Sequence, residues 1–236
     1  MKIALLGYGK MGQVIEQIAM ERGHEIVFRK TSTDTFDGLT AADVAIDFSV
    51  PDSAVRNIEQ CFETNIPIVS GTTGWLQDYD KVTLRCNEKK GAFIYSSNFS
   101  LGVNIFFELN DYLAKIMAKF NQYQVKIVEI HHTQKLDAPS GTAITLAKGI
   151  IDNSDYSSWA LEKANTDEIL IESERIANVP GTHIVSYQSA VDTIDIKHTA
   201  HNREGFALGA VIAAEWLVGK TGVFTIKDVL HLASIQ

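Results

Sequence analysis

A glycine-rich turn close to the N-terminus constrains the fold of this chain more than any other feature of its sequence. Residues 3–6 form an apolar run typical of a buried strand, and the next six residues read Gly7-Tyr8-Gly9-Lys10-Met11-Gly12. Apolar side chains then recur at helical spacing as far as residue 22. A strand, a GxGxxG turn and a helix in this order predict that the helix N-terminus binds the pyrophosphate of a dinucleotide. The alternative is a turn whose glycines serve packing alone.

The first half of the chain continues this alternation of strands and helices. Further strands are predicted at residues 26–28, 44–48, 66–70 and 92–96, and further helices at residues 52–62 and 77–88. Such an alternation predicts a parallel sheet with helices on both faces, which is a Rossmann-like α/β domain. Ligands of these sheets bind at the carboxyl ends of the strands.

Small polar loops follow three of the predicted strands at that edge. They contain Phe48, then Gly71, Thr72 and Thr73, and then Ser96, Ser97, Asn98 and Phe99. Together with the six residues of the glycine-rich turn, these are the candidate cofactor-binding residues. For any one loop taken alone, ordinary turn chemistry is the alternative.

The second predicted strand ends in two cations instead of the acid that usually binds a ribose 2′-hydroxyl. Arg29 and Lys30 stand there, and cations at this position favour the 2′-phosphate of NADPH. The alternative is a basic pair that is simply solvated.

The sequence pattern changes after residue 101. Residues 103–120 and 140–151 predict helices and residues 124–131 a strand, and three strand-like runs follow at residues 169–174, 183–189 and 193–198. Strands without helices between them predict an α+β domain with an open mixed sheet in which antiparallel pairs predominate. A last helix at residues 206–218 returns to the first domain. We therefore expect a dinucleotide-binding domain at residues 1–101 plus 208–236 and a second domain at residues 102–207.

The least common run of the sequence lies at residues 129–143, Glu-Ile-His-His-Thr-Gln-Lys-Leu-Asp-Ala-Pro-Ser-Gly-Thr-Ala. His131 and His132 end a predicted strand, where successive side chains point to opposite faces, so we expect them to have separate roles. Histidine titrates near neutrality and can donate a proton, and Lys135 offers a second donor or a carboxylate partner.

The same run ends at a predicted helix N-terminus. Ser140, Gly141 and Thr142 precede apolar residues at helical spacing, and the N–H groups there can bind an anion. Helix capping by Ser140 is the structural alternative, and it is compatible with anion binding. Further along, Arg203 could pair with a substrate carboxylate through two hydrogen bonds. A dinucleotide, a proton donor and an anion site together predict a reductase that acts on a carboxylate-bearing substrate.

The charge balance and the apolar runs exclude several other classes of protein. The 236 residues carry 21 basic and 29 acidic side chains, a net charge of −8, which argues against a nucleic-acid partner. No apolar run reaches the length of about 20 residues that a membrane helix needs, so we expect a cytoplasmic protein without a membrane partner. We expect Cys61 and Cys86 to be reduced thiols, and the histidines lack the spacing of a metal site.

These motifs resemble the 4-hydroxy-tetrahydrodipicolinate reductase family, also called dihydrodipicolinate reductases. The resemblance rests on the glycine-rich turn, on Asp-Phe-Ser-Val-Pro at residues 47–51, on Gly-Thr-Thr-Gly at residues 71–74, on residues 97–104 and 203–210, and above all on residues 129–143.

The resemblance implies NADPH- or NADH-dependent reduction of a small cyclic dicarboxylate imine in lysine and diaminopimelate biosynthesis. It implies that His131 is the proton donor and Lys135 the second donor, and that the substrate contacts include His132, Gly141, Thr142 and Arg203. It also implies that the second domain binds the substrate and assembles the chain into a homotetramer.

Two alternatives stay open at this point. Another NAD(P)-dependent amino-acid or imino-acid dehydrogenase of this plan would share the glycine-rich turn but lack the run at residues 129–143. A catalytically silent NAD(P)-binding sensor would explain the turn but not the acid, the lysine and the anion site.

Overall fold

The chain folds into two compact units, each built on its own sheet. A computed structural model describes residues 1–31, 34–202 and 204–231. The first unit contains residues 1–101 together with the chain from residue 204 onward, and the second unit contains residues 102–203. In chain order the elements are β1 (Lys2–Leu6), α1 (Lys10–Glu21), β2 (Glu25–Lys30), β3 (Val44–Asp47), α2 (Pro51–Glu63), β4 (Ile68–Ser70), α3 (Tyr79–Glu88), β5 (Ala92–Tyr95), α4 (Leu101–Met117), β6 (Gln124–His131), α5 (Gly141–Ile151), β7 (Ser158–Leu161), β8 (Glu168–Arg175), β9 (Gly181–Gln188), β10 (Thr193–Ala200), α6 (Glu204–Leu217), β11 (Gly222–Phe224) and α7 (Ile226–Val229).

The first unit has the predicted parallel sheet with a core on each face. Its strand order is β11-β5-β4-β3-β1-β2, and all neighbours are parallel. Because side chains alternate along a strand, Ile3 and Leu5 of β1 pack in one core with α1 and α6, whereas Ala4 and Leu6 pack in the other core with α2. The Rossmann-like fold class is therefore confirmed.

The second unit has a mixed five-stranded sheet in the order β10-β9-β6-β8-β7. The pairs β6–β9 and β9–β10 are antiparallel, and the pairs β6–β8 and β7–β8 are parallel. The mixed sheet is confirmed, but the expectation that antiparallel pairs predominate was wrong. Strand β7 was not predicted, and α5 carries the chain across from β6 so that β8 runs parallel to it.

Helices cover one face of this mixed sheet. Phe106 of α4 and Leu146 of α5 pack on strand residues such as Ile127, Ile171 and Val185. The alternate strand positions point to the other face and stay half-buried. The second unit is thus open-faced within its described residues.

The chain returns to the first unit earlier than the sequence indicated. The expected boundary at residues 207 and 208 differs from the observed one, because α6 begins at Glu204 and packs as a whole with α1 and with strands β3, β4 and β5. The short elements β11 and α7, which the sequence pattern did not reveal, follow and complete this unit. Among the described residues, no helix is long and apolar enough to cross a membrane.

Candidate functional site

The three glycines of the N-terminal turn differ in the space around them. Gly7 has a φ of +97°, and a Cβ there would lie 2.2 Å from the carbonyl oxygen of Phe48. A Cβ on Gly12 would lie 2.4 Å from the carbonyl oxygen of Gly7, whereas a Cβ on Gly9 would meet nothing within 4 Å. Gly7 and Gly12 therefore permit the tight turn and its packing, and Gly9 leaves open space over the N-terminus of α1, as the approach of a phosphate requires.

A cavity of about 270 Å³ opens beside this turn. Its walls combine residues that the sequence predicted with residues that it did not. The predicted ones are Gly7, Tyr8, Gly9, Lys30 and Phe48, and the others are Thr31, Ser49, Val50, Ser53 and Asn57. For Thr31, Ser49 and Val50 the signal is their position directly after β2 and β3, because ligands of parallel sheets bind at the carboxyl ends of the strands. Ser53 and Asn57 lie in α2, and no such signal marks them.

The two cations at the end of β2 have different surroundings. Lys30 is buried, its Nζ donates to the carbonyl oxygen of Thr31 at 3.1 Å, and it lines the cavity. Arg29 instead forms an ion pair with Glu16 and lies over the ring of Tyr8, whose hydroxyl donates to the same carboxylate. Lys30 is therefore available to a ligand in the cavity, whereas Arg29 is already paired.

The buried carboxylate of Asp47 connects the loops that follow β3 and β4. It accepts hydrogen bonds from Ser49 Oγ at 2.7 Å, Asn57 Nδ2 at 2.8 Å, Ser70 Oγ at 2.9 Å and Thr72 Oγ1 at 2.7 Å. Burial raises the pKa of Asp47, and these four donors oppose that rise. The sequence analysis gave Asp47 no role, although a polar side chain at the end of a buried strand was a visible signal.

The remaining predicted cofactor residues lie at the same edge of the sheet with unequal exposure. The exposed ones are Lys10, Thr73 and Ser97, and the partly or fully buried ones are Met11, Gly71, Thr72, Ser96, Asn98 and Phe99. Phe99 packs in the core at 1% exposure, so only its backbone could contact a ligand. A Cβ on Gly71 would lie 2.3 Å from Phe48 Cζ, which explains the glycine by packing.

A buried glutamate lies at the centre of the site in the second unit. Glu129 of β6 is fully buried, and its Oε1 accepts from Ser173 Oγ at 2.9 Å and lies 3.4 Å from both Nη atoms of Arg175. Its Oε2 accepts from the backbone N–H of Ser140 at 2.9 Å. Burial alone would raise the pKa of Glu129, but these hydrogen bonds hold it below its ordinary value. The sequence analysis quoted Glu129 as part of the run without assigning it a role.

Two buried imidazoles face the same carboxylate. His131 Nδ1 lies 3.7 Å and His183 Nε2 lies 3.9 Å from Glu129 Oε2, and the two rings meet edge to face at 5.0 Å. Burial lowers the pKa of His131 in spite of the carboxylate. Burial, followed by the neighbouring His131, lowers the pKa of His183 to about 4, so His183 is neutral near pH 7. The sequence pattern predicted a strand at residues 183–189 but gave no sign that His183 belongs to this cluster.

Lys135 lies in the loop between β6 and α5, which Arg175 ties to the sheet. Lys135 Nζ pairs with Asp137 Oδ2 at 2.6 Å, and its backbone N–H donates to the carbonyl oxygen of His132. Arg175 donates to the carbonyl oxygens of Lys135 at 3.3 Å and Asp137 at 2.6 Å. His132 is half-buried, next to His131. The structure thus brings both predicted proton donors to the carboxyl end of β6.

The predicted anion site is a helix N-terminus with a side-chain cap. Ser140 is the N-cap of α5, where its Oγ accepts from the N–H of Ala143 at 3.2 Å and contacts His183 Nε2 at 3.1 Å. The N–H groups of Gly141 and Thr142 have no partner within the helix, so they can bind an anion. Capping and anion binding are therefore compatible here. Arg203, the remaining predicted substrate contact, lies outside the described residues.

The cluster of Glu129, His131 and His183 also has the donor atoms of a metal site, within 4.8 Å of one another. Its hydrogen bonds favour another interpretation. Ser140 already occupies both Glu129 Oε2 and His183 Nε2, and the Arg175 cation adjoins the same carboxylate. We therefore interpret the cluster as a hydrogen-bonded network around one buried carboxylate.

Comparisons with known proteins cover both units. Residues 1–99 match the family described as "Dihydrodipicolinate reductase, N-terminus", and residues 102–230 match "Dihydrodipicolinate reductase, C-terminus". A relative from Christiangramia forsetii named 4-hydroxy-tetrahydrodipicolinate reductase is 58% identical over 233 residues, which is 98% of each chain. A relative of the same name from Thermosipho africanus is 35% identical and covers 100% of both chains.

A solved structure has the same fold. The dipicolinate-bound dihydrodipicolinate reductase from Paenisporosarcina sp. TG-14 aligns with a TM-score of 0.75 at 23% identity, over 95% of this chain and 97% of that chain. At this identity the similarity shows the fold alone.

Proposed function

The chain belongs to the dihydrodipicolinate reductase family, and from this premise we propose that it reduces the 4-hydroxy-tetrahydrodipicolinate or dihydrodipicolinate imine to tetrahydrodipicolinate. This NAD(P)H-dependent step belongs to lysine and diaminopimelate biosynthesis. The observation that carries the proposal is the 58% identity to a 4-hydroxy-tetrahydrodipicolinate reductase over 98% of both chains.

The first unit is the proposed dinucleotide-binding domain. The open space over Gly9 and the N-terminus of α1 suit a pyrophosphate, and the adjoining cavity of about 270 Å³ suits the nucleoside next to it. The bound nicotinamide supplies a hydride. Because Lys30 lines this cavity and is not paired with a carboxylate in the described structure, it is the better of the two cations to bind a 2′-phosphate and favour NADPH.

The second unit is the proposed substrate domain. His131 is the proton donor. Burial lowers its pKa, which makes the imidazolium a readier acid, and the Glu129 carboxylate opposes that fall and favours the protonated form. Lys135 is the second donor, and Asp137 holds its ammonium group in place.

The substrate carboxylates bind at the N-terminus of α5. The backbone N–H groups of Gly141 and Thr142 provide hydrogen-bond donors there, and Ser140 fixes the start of the helix. His132 and Arg203 are the further substrate contacts of this proposal. These donors suit the two negatively charged carboxylates of the substrate better than they would suit an imine without carboxylates.

The open face of the mixed sheet supports a homotetramer. Val128, Ile130, Leu170 and Ile184 lie half-buried at the strand positions that face away from α4 and α5. Copies of the second unit that pack through this face would cover them. Light scattering should then give a mass four times that of the 26.0 kDa chain.

A coupled assay tests the proposed reaction. Dihydrodipicolinate synthase generates the unstable imine in situ, and the loss of NADPH or NADH absorbance is followed. Oxidation should depend on the synthase substrates, fall by about 10²- to 10⁴-fold in His131→Gln, and stay unchanged in the control His24→Gln, which alters a histidine of the first unit. Dinucleotide binding without imine-dependent oxidation would contradict the proposal and favour a silent sensor.

A further inference from the structure

The buried carboxylate of Glu129 is hydrogen-bonded through both of its oxygens. One oxygen, Oε1, is held by Ser173 and the Arg175 guanidinium. The other oxygen, Oε2, is directed at the N-terminus of α5 and at the imidazole of His131. Oε1 therefore fixes the position of the carboxylate, and Oε2 faces the proposed proton donor and the proposed anion site.

We propose that Glu129 is a positioning residue that holds His131 in the form protonated on Nδ1 and couples this imidazole to the N-terminus of helix α5. The consequence for catalysis rests on the proposed function. The consequence for the proton on His131 does not, because it follows from the arrangement of Glu129 and His131 in the second unit alone.

The state of the carboxylate follows from its partners. Two neutral donors and one guanidinium satisfy Glu129, and hydrogen bonds of this kind favour the ionised form. A buried anion binds a proton donor wherever one is in reach. On the Oε2 side the imidazoles of His131 and His183 are in reach, and His183 Nε2 already contacts Ser140 Oγ.

His131 Nδ1 is therefore the group that the anion orients. Nδ1 has no hydrogen-bond partner among the described residues, and it lies 3.7 Å from Oε2, about 0.8 Å more than the length of a typical N–H···O hydrogen bond. A small rotation of the ring closes that distance. On the β9 side the ring lies beside Gly181, where an added Cβ would lie 3.2 Å from His131 Nε2.

The charges around His131 give Glu129 a distinct effect on its protonation. Lys135, Arg175 and His132 all oppose the imidazolium, and the neighbouring ring of His183 does so when protonated, whereas Glu129 favours it. Removal of the carboxylate charge should therefore lower the pKa of His131 further. Two unit charges at 3.7 Å shift a pKa by about one unit even when they are screened as in water.

The first test uses the wild-type protein with ¹⁵N-labelled histidine. The shifts of the two ring nitrogens report which one carries the proton, and the His131 signals are assigned by their loss in His131→Gln. We expect His131, when neutral, to carry its proton on Nδ1. A neutral His131 protonated on Nε2 would overturn the proposal, whether or not the protein reduces the imine.

The second test removes the charge with a nearly isosteric side chain. In Glu129→Gln we expect the pKa of His131 in the NMR titration, and the alkaline limb of the kcat/KM profile, to move down by about one pH unit or more. NADPH affinity should stay within about twofold, because the dinucleotide site is in the first unit. The matched control Glu88→Gln removes an exposed charge from α3 and should shift neither quantity.

The two readouts separate a failure of this inference from a failure of the proposed function. If the wild type has no imine-dependent activity but the histidine titration still shifts in Glu129→Gln, the reaction is wrong and the role of Glu129 stands. An unshifted titration in a folded Glu129→Gln protein overturns the inference. If that variant does not fold, Glu129→Asp keeps the charge one methylene farther away and should give a smaller shift in the same direction, and no shift would count against the inference.

Discussion

Alanine at Gly7 should impair folding, whereas alanine at Gly9 should impair dinucleotide binding. The two glycines are two residues apart in one turn, but Gly7 has a φ of +97° and no room for a Cβ, whereas Gly9 has a φ of −85° and open space around it. One substitution therefore tests the fold of the turn, and the other tests whether a phosphate approaches its backbone.

The structure gives the size of the first effect. In Gly7→Ala the left-handed conformation costs about 1–2 kcal/mol, and the contact of 2.2 Å between the new Cβ and the carbonyl oxygen of Phe48 forces a shift that costs about 1–3 kcal/mol. The sum is about 2–5 kcal/mol. For a chain of this size that corresponds to a fall in Tm of about 5–20 °C, measured by differential scanning calorimetry.

Gly9→Ala should leave the Tm within about 3 °C. Alanine is the poorer helix N-cap but also restricts the unfolded chain, and these effects of less than about 1 kcal/mol oppose each other. The new methyl group occupies the open space over α1, so a phosphate there would lose a charge-assisted hydrogen bond of about 1.5–3 kcal/mol. We expect the Kd for NADPH, measured by fluorescence titration, to rise about 10- to 150-fold. Unchanged affinity in Gly9→Ala would refute this account of the turn.

Three further predictions concern single side chains. Lys30→Met should weaken NADPH binding about tenfold or more and NADH binding little, in the same titration; equal losses would show that Lys30 does not bind a 2′-phosphate. Lys135→Ala should lower kcat at least tenfold in the coupled assay with the Kd for NADPH unchanged, and a matching loss of cofactor affinity would contradict the separation of the two roles. The pKa of His183 is 6.5 in the unfolded chain and about 4 in the native state. As the pH is lowered between these values, the unfolded chain gains the proton first. The free energy of unfolding therefore decreases as the pH is lowered, by about 3 kcal/mol at pH 4. His183→Gln should flatten that dependence in urea titrations.

The parallel sheet of the first unit was predictable because its signals are local. Each strand is a short apolar run that ends at a polar loop, and the helices between them carry their own start signals, such as Pro51 at the beginning of α2. The elements that escaped are short. Strand β7 has four residues, none of them fully buried, and α7 has four residues whose start shows only in the capping box of Thr225 and Asp228.

The site was predictable as a run of residues but not as a network. His131, Lys135 and Ser140 are close in sequence, so one loop brings them together. Ser173, Arg175 and His183 come from β8 and β9, and only the sheet pairing places them around Glu129. The register of a mixed sheet depends on long-range packing, which no local pattern in the chain specifies. The Arg29–Glu16 ion pair was not foreseen either, because it depends on how α1 packs against β2.

The proposed reaction is tested most directly by following the hydrogen atoms themselves. The coupled assay is run with NADPH that carries deuterium at the transferable position of the nicotinamide, and the product is analysed by mass spectrometry. The account predicts tetrahydrodipicolinate with one deuterium atom for each NADPH oxidised, and no such product above background with His131→Gln. A product without deuterium, or oxidised NADPH without tetrahydrodipicolinate, would contradict it.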